Sequence, residues 1–142
     1  MIAVIDTNVL LVSISAKSKY HWLYQAILGK KITVAFSNEI LTEYEEIISS
    51  HWDADTAKNT IRSLLELSST KLIVAYFKLN LIVNDKDDNK FTDCAFAANA
   101  DYIVTNDSDF NVLKKITFPN IKVVSITEFK DILISQKIIE GQ

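Results

Sequence analysis

The amino-acid sequence predicts an α/β fold, a three-layer α/β/α sandwich around a mostly parallel sheet, and two patterns carry that prediction. Short apolar runs (Met1 to Ile5, Ile32 to Phe36, Tyr102 to Thr105, Ile121 to Ser125) alternate with longer stretches in which apolar residues recur at spacings of three and four. The runs are apolar at nearly every position, as strands covered on both faces are. With 142 residues, 49% hydrophobic content, two glycines and one proline, the chain fits one domain, 1–142, without linker, repeat or disordered stretch except at its last residues.

Met1 to Ile5 reads as a strand ending at Asp6-Thr7-Asn8, which can cap a helix over Val9 to Ser15. Tyr20 to Leu28 is a second helix, with Trp22, Leu23, Ala26 and Ile27 at core spacing and Gly29 as its stop. After the strand Ile32 to Phe36, Ser37 caps a helix to about Ser50, with Ile40, Leu41, Tyr44, Ile47 and Ile48 as its apolar arc. Glu39 and Glu46 project away from that arc, whereas Glu43 and Glu45 fall at its two edges, and periodicity leaves the choice between those two open. Asp53 or Asp55 begins a helix through about Ser68. Leu72 to Phe77 and Leu79 to Val83 are β-prone and form one bent strand or a strand and a connector. A helix from about Asn89 to Ala100 leads into the strand Tyr102 to Thr105 and an acidic turn, Asn106 to Phe110. Ile121 to Ser125 is the last strand, and Thr127 caps the closing helix.

Seven of the eleven aspartates lie between Asn84 and Phe110. Asp6, and Asp107 with Asp109, follow the carboxyl ends of strands, where open α/β sheets place their ligand crevice. Asp93 is the lone charge between Phe91 and Ala100, on a stripe with Phe96, Ala97 and Ala100; the other stripe, Phe91, Cys94, Ala95 and Ala98, is apolar too. A helix apolar on both sides is packed on both sides, so a carboxylate within it calls for a cation or a partner. Asp85, Asp87 and Asp101 read as turn and capping residues. Thr7, Asn8, Thr105 and Asn106 flank the acids and suit supporting hydrogen bonds.

The candidate set is therefore Asp6, one of Glu43 or Glu45, Asp93, and Asp107 with or without Asp109. Oxygen-only ligands without a His/Cys set point to a hard cation, Mg²⁺ or Mn²⁺, able to orient water for attack on a phosphodiester. A formal net charge of −3 excludes a generic polyanion-coating protein and leaves a nucleic-acid enzyme open. The single cysteine, Cys94, cannot form an internal disulfide and favours a reducing compartment, the cytoplasm. With no basic leader and no apolar run of about 18 residues, neither export nor membrane insertion is expected.

DTNVL at Asp6 to Leu10, SNEILTEY at Ser37 to Tyr44, DDNKFTDCAFAANADYIVTNDSDF at Asp87 to Phe110 and VVSITEF at Val123 to Phe129 together resemble a PIN domain, over nearly the full chain. That resemblance implies a Rossmann-like sandwich and a Mg²⁺- or Mn²⁺-dependent ribonuclease, often the VapC-like toxin of a toxin–antitoxin pair. It selects Glu43 over Glu45. Carried over residue by residue, it places the metal-binding, catalytic acids on Asp6, Glu43, Asp93 and Asp107, with Asp109 as an accessory acid and Asn8 and Thr105 as polar supports. The partners it implies are an RNA substrate and a small antitoxin protein, and a homodimer is the further assembly to consider. Two rivals remain: a non-catalytic RNA- or protein-binding module holding a structural ion, and an aspartyl-phosphate phosphatase. The latter has a second Asp two residues after its nucleophile, where this chain has Asn8.

Overall fold

The computed structural model describes residues 1–74, 78–82, 86–117 and 119–141. Five strands, β1 (Ile2–Ile5), β2 (Thr33–Phe36), β3 (Thr70–Leu72), β4 (Tyr102–Val104) and β5 (Val123–Val124), form one sheet in the order β3-β2-β1-β4-β5. Every pairing is parallel, with Ala3 opposite both Val34 and Tyr102. β1 is thus central, and its Ala3, Val4 and Ile5 are fully buried, as a strand apolar at every position requires.

Among the described residues, six α-helices cover the sheet: α1 (Thr7–Ile14), α2 (His21–Leu28), α3 (Asn38–His51), α4 (Ala54–Glu66), α5 (Asn89–Ala98) and α6 (Ile126–Ser135). From β1 the chain steps outward to β2 and β3, then crosses back to β4 on the other side of β1. Right-handed crossovers running in opposite directions leave the sheet on opposite faces. The α1 to α4 group, packed helix on helix, therefore lies on one face, and α5, which packs on β1, β2 and β4, on the other. The three layers are those expected, a Rossmann-like α/β/α sandwich. Phe36, Tyr44, Phe91, Phe110 and Phe129 fill its core at under 2% exposure, each such ring contributing about 1.5–3 kcal/mol by burial.

Local chemistry sets the boundaries. Ser37 caps α3 by accepting from the Ile40 amide, and Asp53 rather than Asp55 caps α4, accepting from Thr56 at 2.6 Å. The closing helix starts earlier than expected: Ser125, not Thr127, is its cap, in a reciprocal capping box with Glu128. α5 ends at Ala98 because Asn99 turns into the left-handed region at φ 51°. β3 lies at Thr70–Leu72 and meets the first β-prone piece, Leu72 to Phe77, at Leu72; residues 75–77 and 83–85, and with them Asp85, are outside the described residues. The acidic turn continues as a 3₁₀ helix, Ser108–Lys115, which the sequence pattern did not signal.

Candidate functional site

β1 and β4 are neighbours from which the chain departs in opposite directions, so their carboxyl ends form the switch point of the sheet. Asp6 leaves β1 there and is buried, its amide donating to Val104 O at 3.0 Å across the pair. It occupies the N-cap position of α1, yet its side chain makes no capping bond. Its Oδ2 instead accepts the Thr105 hydroxyl at 2.7 Å. Burial pushes the Asp6 carboxyl above the usual carboxylate range, the Thr105 and Thr7 hydrogen bonds oppose that rise, and the charges of Glu43 and Asp107 reinforce it.

Glu43 reaches this centre from the middle of α3, while Glu45, one side chain away on the same helix, is exposed to solvent. Tyr44 between them is fully buried and donates its hydroxyl to Ile5 O, seating α3 on the end of β1. Both Glu43 oxygens are engaged: Thr7 Oγ1 donates to Oε2, and Lys90 Nζ pairs with Oε1 at 2.8 Å.

From the β4 side, the Thr105 hydroxyl also accepts the Asp107 amide at 3.0 Å, and Asp107 Oδ1 accepts the Asp109 amide at 2.9 Å, capping the 3₁₀ helix. Phe110 anchors that helix in the core, edge-on to Phe91 of α5 with ring centroids 6.2 Å apart. Among the described residues, Asp88, Asp107 and Asp109 form the carboxylate group whose oxygens lie within 4.8 Å of one another. Asp107 thus joins this triad to Asp6.

Asp88 was absent from the expected set. A clue was present: DKDDN supplies more acids than one helix start needs, and Asp88 at the N-cap makes no side-chain capping bond.

Asp93 is placed differently from its expected role. Its Oδ1 accepts the Leu79 amide at 2.9 Å, and the charges that act on it are Glu39 and Lys78. Burial raises its carboxyl, as the helix pattern implied, but it is not in the triad. It faces a neighbouring recess of about 330 Å³ shared with Ser37, Glu39, Lys78 and Asn89. One turn earlier, Asn89 brackets Ile82, accepting its amide and donating to its carbonyl, both at 2.9 Å. Asn89 and Asp93 together hold the 79–82 connector on α5. The helix is also less enclosed than its stripes suggested, for Phe96 and Ala97 are exposed.

Of the supporting residues, Thr7 and Thr105 hold Glu43 and Asp6, whereas Asn8 is exposed at the start of α1. Asn106 Oδ1 accepts the Ile126 amide at 3.2 Å, and Asp101 accepts the Ile2 amide at 2.8 Å at the opposite end of the strands.

A parallel sandwich with carboxylates from four parts of the chain converging on its switch point defines a Rossmann-like protein with an all-oxygen crevice. The chain belongs to the PIN-domain family, whose model matches residues 3–109. No curated protein sequence matches it. Its fold is shared with a chain in the crystal structure of VapBC2 from Rickettsia felis bound to a DNA fragment from their promoter. That likeness has a TM-score of 0.59 and 22% identity, over 88% of this chain and 98% of the other. Among the described residues no helix is long and apolar enough to cross a membrane.

Proposed function

We propose that this chain is a Mg²⁺- or Mn²⁺-dependent endoribonuclease and the toxin of a toxin–antitoxin pair. The observation that carries the reading is the convergence of Asp6, Glu43, Asp88, Asp107 and Asp109 on the carboxyl ends of β1 and β4. An all-oxygen donor set fits a hard cation, and the repulsion that Glu43 and Asp107 impose on buried Asp6 is what a cation would relieve. Asp88, Asp107 and Asp109 would hold it with Asp6, while Glu43 stands at the margin, tied to Thr7 and Lys90. Asp93 serves the 79–82 connector and is left outside the set.

When bound, such an ion supplies an activated water and offsets charge on the phosphate. The protein's share is to aim and support. The Thr105 hydroxyl, accepting from the Asp107 amide and donating to Asp6, fixes the two strand ends relative to each other. Thr7 does the same for Glu43 across α1 and α3. In hydrolysis a carboxylate of the site would accept the water's proton as the new P–O bond forms, while the P–O bond to the leaving ribose oxygen breaks and that oxygen takes a proton from solvent.

Purified protein should cleave single-stranded RNA with Mn²⁺ or Mg²⁺, and excess chelator or Asp107→Asn should stop it. RNA that is bound but stays intact under all metal conditions would favour the non-catalytic module instead. The acidic crevice suits a partner protein that sets a basic side chain among the carboxylates, the role proposed for an antitoxin. Expression of the chain alone should arrest growth; an active protein that is harmless in cells would remove the toxin reading and leave the nuclease.

A further inference from the structure

Among the described residues, Lys90 brings a cation to the site. It is the second residue of α5 and follows Asp88 of the triad by two positions. Its ammonium lies 2.8 Å from Glu43 Oε1, donates to Asp87 O at 2.7 Å and sits 5.2 Å from the centroid of the Phe91 ring. The side chain is only 12% exposed, so this is a fixed charge packed into the site and not a surface lysine sampling solvent. These contacts are a carboxylate, a carbonyl and a ring face, each favourable to an ammonium. The other oxygen of Glu43 is held by the Thr7 hydroxyl. A divalent ion taking Glu43 Oε1 as a ligand would have to displace that ammonium.

We propose that the site takes one divalent ion, at the Asp88, Asp107 and Asp109 side, and that the Lys90 ammonium occupies the place beside Glu43 where a second ion would otherwise bind. This rests on the metal-dependent reading above and adds to it a stoichiometry and the residue that sets it. Two-ion sites hold their metals about 3.5–4 Å apart through bridging carboxylates. Here Asp107, coupled electrostatically to Asp6 and grouped with Asp88 and Asp109, would be the bridge, and Glu43, the acid that would ligand the second ion, already holds the ammonium.

The test is Mn²⁺ binding to the full chain, read by the loss of the free-ion electron paramagnetic resonance signal and by calorimetry. Wild type should take up one Mn²⁺ per chain. Lys90→Met, which keeps the stem and removes the charge, should take up two, Lys90→Arg should return to one, and the double variant K90M/E43Q should lose the second again. Two ions in wild type, or one in a folded Lys90→Met protein, would overturn the proposal. If Lys90→Met fails to fold by circular dichroism, Lys90→Gln and Glu43→Gln decide it. Glu43→Gln should then leave the single wild-type ion bound with less than a threefold change in affinity, and a loss of tenfold or more would overturn the placement. Uptake of no Mn²⁺ by wild type would overturn the metal reading and this one together, a result distinct from uptake of two.

Discussion

Asp6 is buried at a strand end, with one oxygen on a hydroxyl and two other carboxylates acting on it. Because its folded carboxyl is raised, its favourable contribution is fully present below the unfolded value near 3.8 and is lost as pH rises through the folded value. At neutral pH the metal-free protein therefore carries a charge that the unfolded chain would hold more easily. Asp6→Asn should raise the melting temperature without metal and lose that advantage once Mn²⁺ is added; a lower melting temperature in chelator would show that the Thr105 bond outweighs the repulsion. Asp93 separates from Asp6 on the same kind of experiment. Asp93→Asn keeps an acceptor for the Leu79 amide, so Mn²⁺ affinity should stay within a few fold of wild type, whereas Asp107→Asn should lose at least tenfold. Equal losses in calorimetry would return Asp93 to the metal set. Cys94 is fully buried, and burial followed by the nearby Asp93 charge pushes its thiol up to about 12. It should resist a thiol reagent at pH 8 in the native protein and react at once in denaturant.

At the scale of elements, the triad depends on a 3₁₀ helix held to the core by Phe110 and Leu113. Phe110→Ala should cost about 3–5 kcal/mol in urea unfolding, as large-to-small changes at fully buried aromatics do, and should weaken Mn²⁺ binding in whatever fraction stays folded. Unchanged affinity in the folded fraction would mean that Asp107 and Asp109 are positioned by Thr105 and Leu113 without Phe110. This helix illustrates what the sequence did and did not disclose. β1 with Asp6, the Ser37 cap of α3 and the start of α5 were legible because each is fixed by local chemistry: an apolar run, a hydroxyl, a cluster of acids. Glu43 against Glu45 was not legible from helical periodicity, which put both at the edge of the apolar arc; the family resemblance selected Glu43, and the placement of α3 on β1 brings that residue to Thr7 and Lys90. Asp93 was legible as a buried acid, but depth along α5 decides its partner, and a projection around the axis carries no depth. The start of β3 was read late: Thr70–Leu72 shares only Leu72 with the β-prone piece Leu72 to Phe77, whose last residues lie outside the described ones, and the pairing with β2 that fixes the strand is non-local. Asp88 was hidden by the ordinary use of aspartate at helix starts.

For the whole molecule, the proposed site draws on residues 6, 43, 88, 107 and 109 and would exist only in the folded state. Mn²⁺ at 100 times its dissociation constant should then stabilise the chain by about 2.7 kcal/mol, which for this size is a rise of roughly 5–10 °C in melting temperature. A melting curve indifferent to Mn²⁺ would leave the carboxylates as mere surface charge.

The hydrogen bond from Thr105 to Asp6 closes a loop spanning 99 residues, and every strand pairing in the sheet is parallel and non-local. Pairings of that kind are late and slow to form, since the entropy of closing long loops precedes any gain from contact. The crevice is thus among the last features completed as the chain folds. Kinetically, the cation acts as a lock: Mn²⁺ should slow unfolding by nearly the whole of its stabilising effect and leave the refolding rate in stopped-flow traces almost unchanged.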